Sequence, residues 1–199
     1  MGSTYRADII MDHRGRAPGR RAVLCGIGAA GLLAGCGNGV GAGGADIIDA
    51  RVERTLAFMY ASYPSSRDLA DKSSALLVMP LVTEASFGLG GSYGRGALVV
   101  GGATVDYYSA AQATVGIQIG AQQYAHVLFF ITDAALQDFR ISSGFAAGAD
   151  VEYVINDRGF NAGADTVTTL TPVIGAVFGQ SGVLAGASIE GTKYTRIIP

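Results

Sequence analysis

The sequence predicts an α+β fold: N-terminal helices and one short internal helix packed on a strongly coiled, glycine-rich antiparallel sheet that approaches a barrel. Three observations predict it. Of the 30 glycines, 23 lie from Cys36 onward, many of them two to four residues apart inside apolar runs. Each would cost about 1 kcal/mol in a helix interior, whereas strands use glycine for bulges, sharp coiling and close backbone approach. A single apolar stripe, Ile48, Val52, Leu56, Met59 and Tyr63, marks one amphipathic helix. From Ala85 onward, short alternating runs broken by glycine read as strands.

The first 35 residues are set apart from this fold. An apolar stretch follows Arg20-Arg21 and closes on Leu33-Ala34-Gly35-Cys36. This basic, apolar and small-residue order is that of a secretory signal. The small residues suit an extended chain in a protease groove, and the Cys36 thiol is the nucleophile that accepts a diacylglyceryl group, with palmitate-type acyl chains, before cleavage. The apolar segment from Ala22 is shorter than the roughly 20 residues of a membrane-spanning helix. The expectation is a lipoprotein signal peptide over 1–35, lipidation at Cys36, a flexible glycine-rich tether over 36–45, and one domain over 46–199. The paired arginines leave Sec and Tat export both open, and Met11 is an alternative start. Gly26-Ile-Gly-Ala-Ala-Gly31 spells a dinucleotide fingerprint, yet no strand delivers it to a helix N-terminus, so no nucleotide is expected.

In chain order, Asp46 opens a helix to Ala61 whose polar faces carry Asp49, Arg51, Glu53 and Arg54, and Pro64 stops it. A short helix follows from Ser66 to Ser73, then a buried strand Ala75 to Val82 interrupted by Pro80. Strands are predicted at Ala85–Tyr93, Gly96–Gly101, Thr104–Ala111, Thr114–Ala121 and His126–Ile131, with short connections that favour antiparallel pairing. A helix from Asp133 to Arg140, capped by Thr132 or Asp133, turns Leu136 and Phe139 inward. Strands resume at Ala147–Ile155, Ala164–Thr169, Val173–Gln180, Gly182–Gly191 and Thr192–Ile198.

Composition narrows the function. From Cys36 onward there are nine basic and fourteen acidic side chains, a net charge of −5, which opposes nucleic-acid binding. Apart from Cys36 that portion has no cysteine, and its one histidine is His126, so neither a multi-histidine zinc site nor a Cys-His pair can be built. Gly179-Gln-Ser-Gly182 is one residue short of a nucleophile elbow, and His126 in a strand reads as packing. Asp150 and Glu152 alternate on a strand and Asp157 and Asp165 flank a glycine-rich loop; solvated carboxylates explain them better than a weak calcium site. Tyr93, Tyr107, Tyr108 and Tyr124 suit either the core or an interface where a ring is apolar and its hydroxyl wet. No enzyme activity, metal or cofactor is expected.

Ser86-Phe-Gly-Leu-Gly-Gly-Ser-Tyr-Gly-Arg-Gly-Ala-Leu98, Val105-Asp-Tyr-Tyr108, Gly116-Ile-Gln-Ile-Gly-Ala-Gln122, Ala135-Leu-Gln-Asp-Phe139 and Gly182-Val-Leu-Ala-Gly-Ala-Ser-Ile-Glu-Gly-Thr-Lys193 follow one another in the order of the SYLF domain, which this chain resembles from about Ala75 to Ile197. The resemblance implies a non-enzymatic, lipid-binding module, found beside SH3 or FYVE domains in eukaryotes and as a secreted lipoprotein in bacteria; a yeast member binds actin. In the eukaryotic branch an amphipathic N-terminal helix and basic residues engage phosphoinositides. Here the helix from Asp46 to Ala61 lacks a basic face, and Gly144-Phe145 stands where the family often has Gly-Trp. Beside the family motifs or in the closing strands, Lys72, Arg95, Lys193 and Arg196 are the candidate donors to anionic headgroups. The expected protein binds a phospholipid membrane on the periplasmic face of the outer membrane, since Gly37 rather than Asp follows the acylated cysteine. The alternative is an interaction module for an envelope protein or peptidoglycan, with lipid serving only as anchor.

Overall fold

The computed structural model describes residues 43–142, 144–147, 153–155, 171–182 and 188–199. The leader, Cys36, the carboxylates at 150, 152, 157 and 165, the strand predicted at Ala164–Thr169 and half of that at Gly182–Gly191 lie outside them.

Helix α1 (Gly44–Ser62) and helix α2 (Ser65–Asp71) come first. Two strands then dominate, β1 (Ala75–Val100, 26 residues) and β2 (Ala103–Phe130, 28 residues). After them come α3 (Asp133–Ile141), β3 (Phe145–Ala146), β4 (Tyr153–Ile155), β5 (Val173–Gly182) and β6 (Lys193–Ile197). The six strands form one half-barrel sheet, ordered β3-β6-β2-β5-β4 with β1 along the other edge of β2. The predicted α+β class and coiled sheet are therefore observed. All pairs are antiparallel except β4 with β5, which is parallel.

The predicted short strands merge into one long hairpin. Its loop is Gly101-Gly102, with φ of 57° and 83°, the left-handed pair that a two-residue turn between twisted strands requires. Alternation breaks at three bulges, between Met79 and Val82, between Phe87 and Leu89, and between Leu98 and Val99. Each disturbs the pairing, and the first places both Met79 and Val82 on the same face. Pro80, expected to interrupt the strand, sits in the first bulge. Further on, Ala147 is a turn residue and Ser188–Gly191 contains a turn, where strand was predicted at both.

The hairpin also folds over on itself. A Cβ on Gly90 would lie 2.8 Å from the Ala85 carbonyl oxygen and one on Gly94 2.8 Å from that of Leu81; one on Gly96 would overlap the Val78 carbonyl oxygen. The bare backbone at these alternate positions lets one half of β1 lie against the other. The bend falls at Phe87-Gly88-Leu89, with Gly88 at φ 77°. It lies where β2 is flanked by β1 alone, since β5 pairs from Gln122 onward and β6 pairs no further than Ala111 among the described residues.

Each face of the sheet has its own core. On the inner face Phe139 of α3 sits among Tyr108, Phe130 and Phe145, with ring centroids 4.7, 4.9 and 5.0 Å away. The predicted Thr132 cap holds this helix, its hydroxyl accepting from the Ala135 amide at 3.2 Å. On the outer face Ile48, Val52 and Met59 of α1 and Leu69 of α2 cover Val78, Val99, Val127 and Phe129. The described domain begins and ends at one place: a Cβ on Gly44 would lie 2.9 Å from the Pro199 carbonyl carbon.

Candidate functional site

Among the described residues, the outer face of the hairpin beyond α1 carries the most exposed large apolar side chains of the sheet. Phe87 is 79% exposed, Leu89 75% and Ile119 66%. They meet because Phe87 pairs with Ile119 in the register, and Leu89 follows Phe87 on the same face of β1. Burying such side chains elsewhere in the fold would contribute about 1.5–3 kcal/mol each, so three left together in water mark a surface that meets something apolar. No Asp, Glu, Lys or Arg occurs from Ala85 to Gly94 or from Tyr107 to Ala125.

Polarity rises step by step away from the bend. The next cross-strand pair on this face is Gly91 with Ala113, then Tyr93 with Ala111, then Arg95 with Ser109. On the far side of β2, Ala111 pairs with Lys193 and Ser109 with Thr195. Tyr93, Ala111 and Lys193 thus form one row across three strands, and Arg95, Ser109 and Thr195 form the next. Strands are spaced about 4.8 Å apart and rise about 3.3 Å per residue, so Leu89 is roughly 13 Å from the Tyr93 row. Exposed Lys193 runs its stem over Gly144, where a Cβ would lie 2.7 Å from its Cε.

Of the four cations nominated from sequence, the register brings Arg95 and Lys193 together on this face. Arg196 lies on the opposite face of the sheet, its side chain still largely exposed, where it and Arg140 (3.2 Å) both pair with Asp106, whose side chain is only 3% exposed. Its role is to neutralise a buried carboxylate. Lys72 caps the C-terminus of α2, away from this row. Phe87, Leu89 and Ile119 were not nominated from sequence; the signal was a charge-free, glycine-spaced stretch with large apolar residues at alternate positions.

The tyrosines divide between core and surface. Tyr108 and Tyr124 are buried, while Tyr93 is 56% exposed in the graded face. Tyr107 donates to Asp49 on α1, and burial together with that carboxylate pushes its hydroxyl up to about 12. His126 is fully buried, with Nε2 2.8 Å from the Tyr194 hydroxyl. Desolvation holds it down to about 3, so the ring is neutral at physiological pH. It lies among Tyr124 and Tyr194 rings in the inner core, which agrees with its reading as a packed residue.

No curated protein matches this sequence. Residues 111–196 match the family model Ysc84, described as Las17-binding protein actin regulator. The match runs from Ala111 in β2 through α3 to Arg196 in β6; it includes Ile119 and Lys193, while Phe87, Leu89 and Arg95 precede it. Over that span the chain matches the SYLF family of Ysc84 domains.

Proposed function

We propose that this protein is an exported lipoprotein, acylated at Cys36, whose SYLF domain binds phospholipid bilayers without catalysing a reaction. The observation that carries the reading is the graded outer face: Phe87, Leu89 and Ile119 at the bend, Tyr93 and Lys193 in one row behind them, and Arg95 in the row after that. A bilayer presents hydrocarbon, then a wet interface that favours tyrosine, then phosphate, in that order. Insertion is shallow, because β1 pairs only with β2 among the described residues and unpaired backbone groups resist hydrocarbon. The bend therefore contributes side chains while its backbone stays at the headgroups.

The acyl anchor supplies proximity and the domain supplies contact. A lipidated Cys36 on a short glycine-rich tether keeps the domain at high effective concentration beside the bilayer, so a weak face is enough. The periplasmic side of the outer membrane is the proposed location, and the actin binding named for the family is not carried to an exported protein. The test is flotation of the full-length chain carrying Cys36→Ser with phospholipid vesicles. Binding is expected, and Phe87→Ser with Leu89→Ser should reduce it at least tenfold while thermal stability is kept. Failure of the folded parent to float with any headgroup composition would remove the reading. Capture of an envelope protein by the same non-floating chain would put the interaction-module alternative in its place.

A further inference from the structure

We propose that the outer face also holds a site for one anionic amphiphile, a single acyl chain with a carboxylate or phosphate head, seated between α1 and two sheet bulges. It rests on the lipid-binding reading above for its choice of occupant, but the site is distinct from the bend.

The bulge at Pro80–Leu81 on β1 faces a second one on β5, where Gly179 takes φ 65° and the register shifts between Gln123 and Ala125. The two flank Tyr124 of β2 from opposite sides. Beside α1 they open a cleft of about 310 Å³, at the lower end of small-molecule sites. Phe58 of α1 and Leu81 of the bulge line it, 51% and 38% exposed, and Phe178 is fully buried against them. The Phe58 and Phe178 rings stack at 6.3 Å and 21°. Two large apolar side chains thus stand in water at the rim of a cavity with an aromatic wall.

Charge selects the occupant. Arg54 lines the cleft from α1, its Nε donating to the Ala50 carbonyl at 2.9 Å, and among the described residues no carboxylate lines the cleft with it. A mainly apolar slot whose described lining has one guanidinium and no acid suits a chain ending in an anion, whose head the planar Nη donors can grip. The slot is also long. A second cavity of about 270 Å³ shares Gln123 and Ser181 with the first and continues past Thr83, Ala121 and Gln122, so the tail would run there along side-chain stems and the Ala121 methyl. The next register pairs, Ala85 with Ala121 and Phe87 with Ile119, carry the same face to the bend. From Gln123 to Ile119 is roughly 13 Å, a length that an extended acyl chain spans. The amphiphile would lie with its head at Arg54 and its tail toward the face that meets the bilayer.

The test uses the full-length chain carrying Cys36→Ser, the fluorescent fatty acid cis-parinaric acid below its aggregation concentration, and no vesicles. Saturable one-to-one binding is expected, displaced by dodecyl phosphate and much less by dodecanol. Arg54→Gln should weaken it about tenfold and Gln123→Trp should abolish it, both at exposed positions and both leaving vesicle flotation unchanged. Phe87→Ser with Leu89→Ser should reduce flotation far more than probe binding, because only the end of the tail reaches the bend. Ser181→Trp serves as a second block if Gln123→Trp alters the circular dichroism spectrum. A parent that floats with vesicles yet shows no saturable probe binding would overturn the site while sparing the bilayer reading. Undiminished affinity in the folded blocked variant, or equal displacement by dodecanol and dodecyl phosphate, would overturn it as well. Probe binding by a parent that does not float would uphold the site and remove the bilayer reading.

Discussion

The Tyr107 hydroxyl donates to Asp49 Oδ2 at 2.9 Å, fastening α1 to the sheet, and Thr104 reinforces the latch by donating to Oδ1 at 2.9 Å. A hydrogen bond to a charged acceptor is worth about 1.5–3 kcal/mol, so Tyr107→Phe should lower stability by about 1–2 kcal/mol in urea unfolding. The latch also has a pH signature. Tyr107 titrates near 12 in the folded state against an ordinary value of 10.0. Its contribution is whole below 10 and is lost as the pH rises through 12. Burial also raises Tyr60, Tyr108, Tyr124 and Tyr194, so alkaline difference spectra of the parent should show one more late-titrating tyrosine than those of Tyr107→Phe; identical spectra would count against the latch.

Arg196 and Lys193 sit three residues apart on β6 and should behave oppositely. Arg196→Ala leaves Asp106 with Arg140 alone, which should cost about 1–2 kcal/mol and leave vesicle binding unaltered. Lys193→Glu should change stability by less than about 0.5 kcal/mol. It should also weaken binding to anionic vesicles several-fold, with the difference shrinking as salt is added. Equal loss of binding in the two variants would contradict the assignment of faces.

His126 predicts the direction of acid sensitivity. Burial holds its folded-state value near 3, below the ordinary 6.5. Below pH 6.5 the unfolded chain takes up a proton that the folded ring refuses. Stability therefore falls as the pH drops from 6.5 toward 3, at a rate approaching 1.4 kcal/mol per pH unit. Urea unfolding of the parent and of His126→Gln at about pH 7 and about pH 4.5 isolates this effect. The stability difference between the two should shift against the parent at the lower pH; a constant difference would refute it.

Two glycines in β1 should respond unequally to alanine. At Gly96 the new Cβ would strike the Val78 carbonyl, a backbone atom that cannot swing away, so Gly96→Ala should cost about 3 kcal/mol or prevent folding. At Gly88 no atom lies within 4 Å of the added carbon, and the penalty is the positive φ alone, about 1–2 kcal/mol. Equal thermal shifts in the two variants would contradict the folded-over hairpin.

The helices were legible because their signals are local. Ile48, Val52 and Met59 are buried as the stripe requires, and Thr132 caps α3. Asp49 was read as part of a polar face, because its partners Thr104 and Tyr107 are more than fifty residues away. The long strands were hidden for another reason: each bulge disturbs the alternation of inward and outward side chains, so continuous β1 reads as several short pieces. The same effect hid the apolar face, since only register shows that Phe87 meets Ile119 or that Lys193 shares a row with Tyr93. Lys72 and Arg196 could not be told from Lys193 by spacing, because face and distance are tertiary properties.

Gly44 abutting Pro199 makes the described domain a closed circuit in space. Joining those two ends and reopening the polypeptide at Gly101-Gly102 would keep every packed layer while exchanging which half is synthesised first. A cargo fused after Pro199 would emerge beside the first turn of α1.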